Sequence, residues 1–178
     1  MEYGELYFYT STIRYWTPIL KQYHLEPIII DSLNFLHTRE CIKVYGFVIM
    51  PNHMHLILEQ LKANGKETPI ASLMKYTSHQ FEKYLKTHDS EMLNKFIVDW
   101  VSRKVNFWLP HSHAFELDCE EIISQKLEYI HFNPLQEHWN LVKDPIDYPY
   151  SSARFYETGE NNFPFLYDYR DWVPISGI

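Results

Sequence analysis

The chain is short of cysteine, of long apolar runs and of positive charge, and each shortage removes a class of protein. Its two cysteines, Cys41 and Cys119, form no CxxC pair, which argues against a zinc ribbon and against a disulfide framework. No apolar run approaches the roughly 20 residues that span a bilayer. The opening Met-Glu-Tyr-Gly-Glu-Leu has neither a basic n-region nor an apolar h-region, so it does not read as a signal peptide. A cytoplasmic protein with no membrane partner is the expectation. No low-complexity linker and no internal repeat divides the chain. No RNP1-like pattern is present either, which weakens generic RNA recognition.

What is there suffices for one packed domain. The 178 residues are 46% hydrophobic, 17% aromatic and 22% charged, enough for a core and unlike a disordered chain. The net charge of −7 is unusual for a nucleic-acid protein, but it is unevenly spread. Residues 62–104 carry eight Lys/Arg against five acids, and residues 105–178 carry four against twelve. A local basic face can bind phosphates on an acidic protein.

The periodicities predict strand, helix, strand, strand, helix, strand, helix. Leu6–Ile13, Ile42–Met50 and His53–Glu59 read as strands, the last two joined as a hairpin across Pro51-Asn52. Pro27 opens a helix carrying Ile28, Ile29, Leu33 and Leu36 inward. Thr68-Pro69 caps a helix to about Thr87, with Ile70, Leu73, Met74, Phe81, Tyr84 and Leu85 inward. On its other side Lys75, His79, Lys83 and Lys86 recur at helical spacing, a track for a phosphate backbone or a solvated face. Residues 105–117 hold one or two short strands. Prolines and tyrosines beyond residue 140 suggest a wrapped, irregular tail with one short helix near Ser151–Tyr156. The order suits an α+β fold, a ferredoxin-like antiparallel sheet with helices packed on it.

Two segments carry chemistry. In Gly46-Phe-Val-Ile-Met-Pro-Asn-His-Met-His-Leu-Ile-Leu-Glu59, His53 and His55 are two positions apart. On a strand they share a face, which suits a divalent metal because neutral imidazole is a common ligand; ordinary edge-strand histidines are the alternative. Gln125-Lys-Leu-Glu-Tyr-Ile-His-Phe-Asn-Pro134 reads as the end of a helix that Asp118 caps with Glu121 as its box partner. Ile122, Ile123, Leu127 and Ile130 form its apolar stripe. Pro134 ends the helix and pushes Asn133 out of the α region. Tyr129 and Asn133, four apart, share a face, where a phenol and a carboxamide can serve as nucleophile and metal ligand; an amphipathic core tyrosine and a plain helix terminator are the alternative.

Together, Met50-Pro-Asn-His-Met-His55 and Tyr129-Ile-His-Phe-Asn-Pro134 resemble the HUH-type single-tyrosine transposases, and most nearly the REP-associated tyrosine transposases. Ser72-Leu-Met-Lys-Tyr-Thr-Ser78 and Asp147-Tyr-Pro-Tyr-Ser-Ser-Ala-Arg154 extend the resemblance over residues 5–156. It implies a catalytic domain over 1–156 and a tail over 157–178. It implies a metal-dependent single-stranded DNA endonuclease and strand-transferase. Tyr129 is then the nucleophile, forming a 5′-phosphotyrosine intermediate, and His53, His55 and Asn133 hold Mg²⁺ or Mn²⁺. The implied partner is a DNA hairpin of REP-like palindrome, and the implied assembly includes a homodimer whose site could lie within one chain or across two. Exposed aromatics would stack on unpaired bases; Trp108 and Tyr76 are candidates. Leu135-Gln136-Glu137 departs from the family, which often places a basic residue there.

Three points stay open in the sequence. No base for Tyr129 is identified, since His131 falls on another helix face. His111 and His113 could touch metal or phosphate, or line a solvated loop. Two rival functions also remain. One is a catalytically silent nucleic-acid-binding module of the same fold; the other is a metallohydrolase using His53, His55 and the 111–113 pair.

Overall fold

Alternation along the first strand decides the layering. Leu6 and Phe8 point to one side and Tyr9 to the other, so each side needs its own cover. The computed structural model describes residues 1–99, 101–102, 104–110 and 113–172. Its elements are β1 (Leu6–Thr12), α1 (Ile19–Gln22), α2 (Glu26–Thr38), β2 (Ile42–Ile49), β3 (His53–Gln60), α3 (Pro69–His88), α4 (Ser90–Asn94), β4 (Ile97–Asp99), β5 (Lys104–Val105), β6 (His113–Glu116), α5 (Glu120–Phe132) and α6 (Ala153–Thr158).

The main sheet has the antiparallel order β2-β3-β1-β6, and β4 with β5 makes a small second sheet. This is the expected ferredoxin-like arrangement. Helices α2 and α3 cover one side, where Ile29, Leu33, Leu73, Phe81 and Leu85 meet Tyr9, Phe47, Met54 and Leu56. Helix α5 covers the other, where Ile123, Leu127 and Ile130 meet Leu6, Phe8, Val48 and Ile57. Each such side chain contributes roughly 1.5–3 kcal/mol on burial.

A bulge between Val44 and Gly46 shifts the β2 register, and Gly46 lets α5 approach. A Cβ there would stand 2.5 Å from Leu127 Cδ2 and 3.3 Å from Ile130 Cδ1. The free edge of β2 is protected by the tail, through bridges Val48–Ser151 and Val44–Leu166 and through the bond from Tyr148 Oη to the Ile49 carbonyl at 2.8 Å. The short tail helix falls at α6, ended by Gly159 in the left-handed conformation at φ 76°.

The helix ends correct two expectations. Thr68 caps α3 as expected, its side chain accepting from the Ala71 N–H, but α5 starts after Cys119 and has no side-chain cap. Asp118 therefore does not cap it; Glu120 and Glu121 instead place negative charge at the helix N-terminus. Ile122 is 36% exposed, because Ile123, Leu127 and Ile130 already fill the inward stripe at spacings of four and three. Asn133 is not pushed out of the α region. Its φ of −56° and ψ of −44° continue the helix into a 3₁₀ turn over Asn133–Leu135, which accommodates Pro134 and keeps Asn133 in line with Tyr129.

Candidate active site

The site forms between β3 and α5. The period of β3 turns His53 and His55 toward α5, with ring centroids 4.9 Å apart and planes at 78°. Both are buried, and each holds a hydrogen bond on Nδ1. The Asn52 carboxamide donates from Nδ2 to the Trp16 carbonyl at 2.9 Å, which leaves its oxygen 2.7 Å from His53 Nδ1. The ring proton of His53 therefore sits on Nδ1, and the Nε2 lone pair is bare. Thr10, opposite His55 in the β1–β3 register, brings its hydroxyl within 2.7 Å of His55 Nδ1. His55 Nε2 is buried and has no hydrogen-bond partner. Burial pushes the His53 imidazole down to about 4, with help from His138, and pushes His55 down to about 3, with help from His53 and Lys126. Both rings are thus neutral near pH 7, the form that ligates metal.

Helix α5 supplies the phenol and the carboxamide. The inward stripe of Leu127 and Ile130 fixes its rotation, which sets the Tyr129 ring 5.5 Å from the His55 ring at 69° and 6.3 Å from Phe8. Tyr129 stays 45% exposed, so the residue is open to solvent. A groove of about 420 Å³ runs beside it, lined by Lys126, Phe132 and Gln136 among others. Asn133 lies one turn beyond Tyr129 on the same face. It is buried, and its Nδ2 lacks a partner. A carboxamide has nearly the same shape either way round, so this position equally takes its oxygen.

These atoms suit a small divalent cation. Nδ1 is engaged on both imidazoles, His55 Nε2 is an orphaned buried atom, and Asn133 presents a second one. Among the described residues there is no cluster of three or more His, Cys, Asp or Glu that could hold a metal ion. Thr10 and Asn52 carry no signal in the sequence as partners of the imidazoles; only the strand register and the hairpin turn reveal them. Lys126 was also missed. Its Nζ stands 5.0 Å over Phe115, 5.2 Å over Phe8 and 5.8 Å over Tyr129, and its three-residue offset from Tyr129 was the available clue.

The other candidates lie elsewhere. Lys75, His79, Lys83 and Lys86 are all exposed on α3, across the sheet from the imidazoles, and Lys75 pairs with Glu67 at 2.6 Å. Trp108 is not an exposed stacking surface: it is buried and donates to Thr77 Oγ1 at 3.0 Å. Tyr76 is exposed. His131 is buried against Ser152 Oγ at 2.8 Å. His113 is exposed on β6, opposite Thr10, and His111 lies outside the described residues. A cavity of about 700 Å³ flanks α5 by His131, Tyr156 and Arg170, and none of His53, His55, Tyr129 or Asn133 lines it. Among the described residues no helix is long and apolar enough to cross a membrane.

No family model and no curated protein matches the sequence. Solved structures do match. One, of a REP-associated tyrosine transposase bound to a REP hairpin, overlaps 89% of this chain and 82% of its own, with a TM-score of 0.60 and 19% identity. Another, from Deinococcus radiodurans R1 and provisionally described as a transposase, overlaps 73% of this chain and 91% of its own, with a TM-score of 0.43 and 17% identity. The resemblance seen in the motifs thus extends to three dimensions, and this chain has the fold of the hairpin-bound tyrosine transposase.

Proposed function

We propose that the protein is a metal-dependent single-stranded DNA endonuclease and strand-transferase that nicks hairpin-flanked DNA through Tyr129. The observation that carries this reading is one contact: an exposed tyrosine ring stands 5.5 Å from a buried imidazole whose outer nitrogen has no partner. A core tyrosine would be buried, and a structural histidine would be satisfied on both sides.

Asn52 and Thr10 orient the imidazoles, and His53, His55 and Asn133 would hold Mg²⁺ or Mn²⁺. When bound, the cation supplies Lewis-acid polarisation of the scissile phosphate. Two imidazoles and an amide bring no charge of their own, so the DNA phosphate completes the site. The Tyr129 hydroxyl gives its proton to solvent and attacks phosphorus. The bond from phosphorus to the 3′ oxygen breaks, and that oxygen leaves as a 3′-hydroxyl after taking a proton. The 5′-phosphotyrosine link keeps the bond energy, so another 3′-hydroxyl can reverse the step without ATP. Lys126, whose Nζ stands 5.8 Å over the Tyr129 ring, brings a positive charge to the place where the phosphate would be attacked. His53, His55 and Tyr129 face one another within the chain, the arrangement that a site inside one subunit would use. The partner is a folded single strand, in line with the hairpin held by the transposase of like fold.

The test is a labelled single-stranded hairpin incubated with protein and Mn²⁺, then run on a denaturing gel beside Tyr129→Phe and His55→Ala. A covalent band that requires metal, Tyr129 and His55 is expected. A native-gel shift without any covalent band would replace this reading with the catalytically silent binding module. An adduct that persists in Tyr129→Phe would overturn the assignment of the nucleophile.

A further inference from the structure

The segment after β1 has a backbone that its residues do not prefer. Tyr15 and Trp16 both adopt the left-handed conformation, at φ 59° and 55°. That region favours glycine or asparagine, and bulky residues there are uncommon. The loop is nonetheless held firmly. Arg14 N–H donates to the Phe107 carbonyl at 2.7 Å, Trp16 N–H to the Ile13 carbonyl at 3.0 Å, and Asn52 Nδ2 to the Trp16 carbonyl at 2.9 Å. Its effect is to present two aromatic side chains to solvent, each 64% exposed. The Arg14 guanidinium lies over the Tyr15 ring, 5.5 Å from its centroid. Strained backbone that persists next to a reactive site is commonly tied to function.

The position of the loop points to its partner. Thr12, at the end of β1, pairs with His53, and the Asn52 carboxamide links the Trp16 carbonyl directly to His53 Nδ1. The aromatic pair is therefore one side chain away from a proposed metal ligand. Exposed rings with an adjacent cation form a stacking surface for single-stranded nucleic acid, where each base offers a π-face and the backbone a phosphate. A duplex keeps its bases stacked inside and offers no such faces. We infer that the Arg14–Trp16 loop is the stacking platform for the unpaired bases flanking the scissile phosphate. This rests on the proposed DNA reading and names the part of the substrate that this end of the site takes.

The test compares two hairpins, one with a normal single-stranded flank and one with the same flank made abasic, by fluorescence anisotropy. Trp16→Gly removes the ring and supplies the residue that the backbone prefers, so it should raise the melting temperature. It should also weaken binding of the normal flank about 10- to 100-fold while leaving the abasic hairpin within about twofold. Trp16→Phe should retain most of the affinity. Equal losses on both hairpins, or no loss on either, would overturn the platform. The covalent-adduct assay run in parallel separates the two readings. Trp16-dependent binding without any adduct would sink the nuclease and keep the platform. An adduct whose formation and binding ignore Trp16 would do the reverse, and a wild-type protein that binds neither hairpin would sink both.

Discussion

Helices α3 and α5 cover opposite faces of one sheet and present their candidate residues in different ways. Helix α3 is capped by Thr68, begins with Pro69, and shows a clean division between Ile70, Leu73, Phe81 and Leu85 inward and the cationic residues outward. Everything that would bind on it is a property of its own periodicity. Helix α5 has no side-chain cap, and its candidate residues do not sit on a polar face. Tyr129 is half-exposed and Asn133 is buried, and the Tyr129 ring stands beside an imidazole of the sheet opposite. A binding surface can thus belong to one helix, whereas a reactive site needs a second element to complete it.

If α5 acts by being held against the sheet, lifting it should do the most damage. Gly46→Val puts atoms where Leu127 and Ile130 now lie. A loss of about 1–3 kcal/mol on thermal unfolding is expected, together with a steep fall in adduct yield because Tyr129 moves with the helix. Wild-type melting and cleavage in that variant would show that α5 is positioned by something else. Next in size is the support of the imidazoles. Asn52→Leu removes the acceptor that fixes the His53 tautomer, so Mn²⁺ affinity measured by titration calorimetry should drop about 10- to 100-fold. Unchanged affinity would detach His53 from the metal.

Lys126→Gln is expected to slow adduct formation about tenfold, close to 1.4 kcal/mol of barrier, with hairpin affinity nearly constant. A pure affinity loss would make Lys126 a phosphate contact rather than a partner of Tyr129. The smallest effect is expected on α3. Lys83→Glu with Lys86→Glu should weaken DNA binding a few-fold at moderate salt and flatten its salt dependence by about one unit per lost phosphate contact. The cleavage rate of bound DNA should not change. If these substitutions abolish cleavage instead, the contrast between the two helices fails, and the strand must cross from one face to the other.

The local readings that succeeded were those with a short-range cause. Alternation placed His53 and His55 on one face, the Thr68-Pro69 start and the apolar stripe placed α3, and the strand and helix order implied the sheet. The misreadings came where a neighbour outweighed a local preference. Asn133 stays helical before Pro134 because a 3₁₀ turn follows. Trp108 is buried because Thr77 satisfies its indole N–H. Ile122 faces outward because the sheet had room for a single stripe.

By itself, the sequence determined the spacing of the histidines, the offset of Tyr129 from Asn133 and the cationic side of α3, since each depends only on the repeat of one element. The tertiary structure decided which of these meet. Register sets Thr10 against His55, the hairpin turn sets Asn52 between Trp16 and His53, and the missing side chain of Gly46 lets α5 come close enough to lay Tyr129 beside the imidazole. Those contacts join residues far apart in the chain, and only close packing of the two layers fixes their distances.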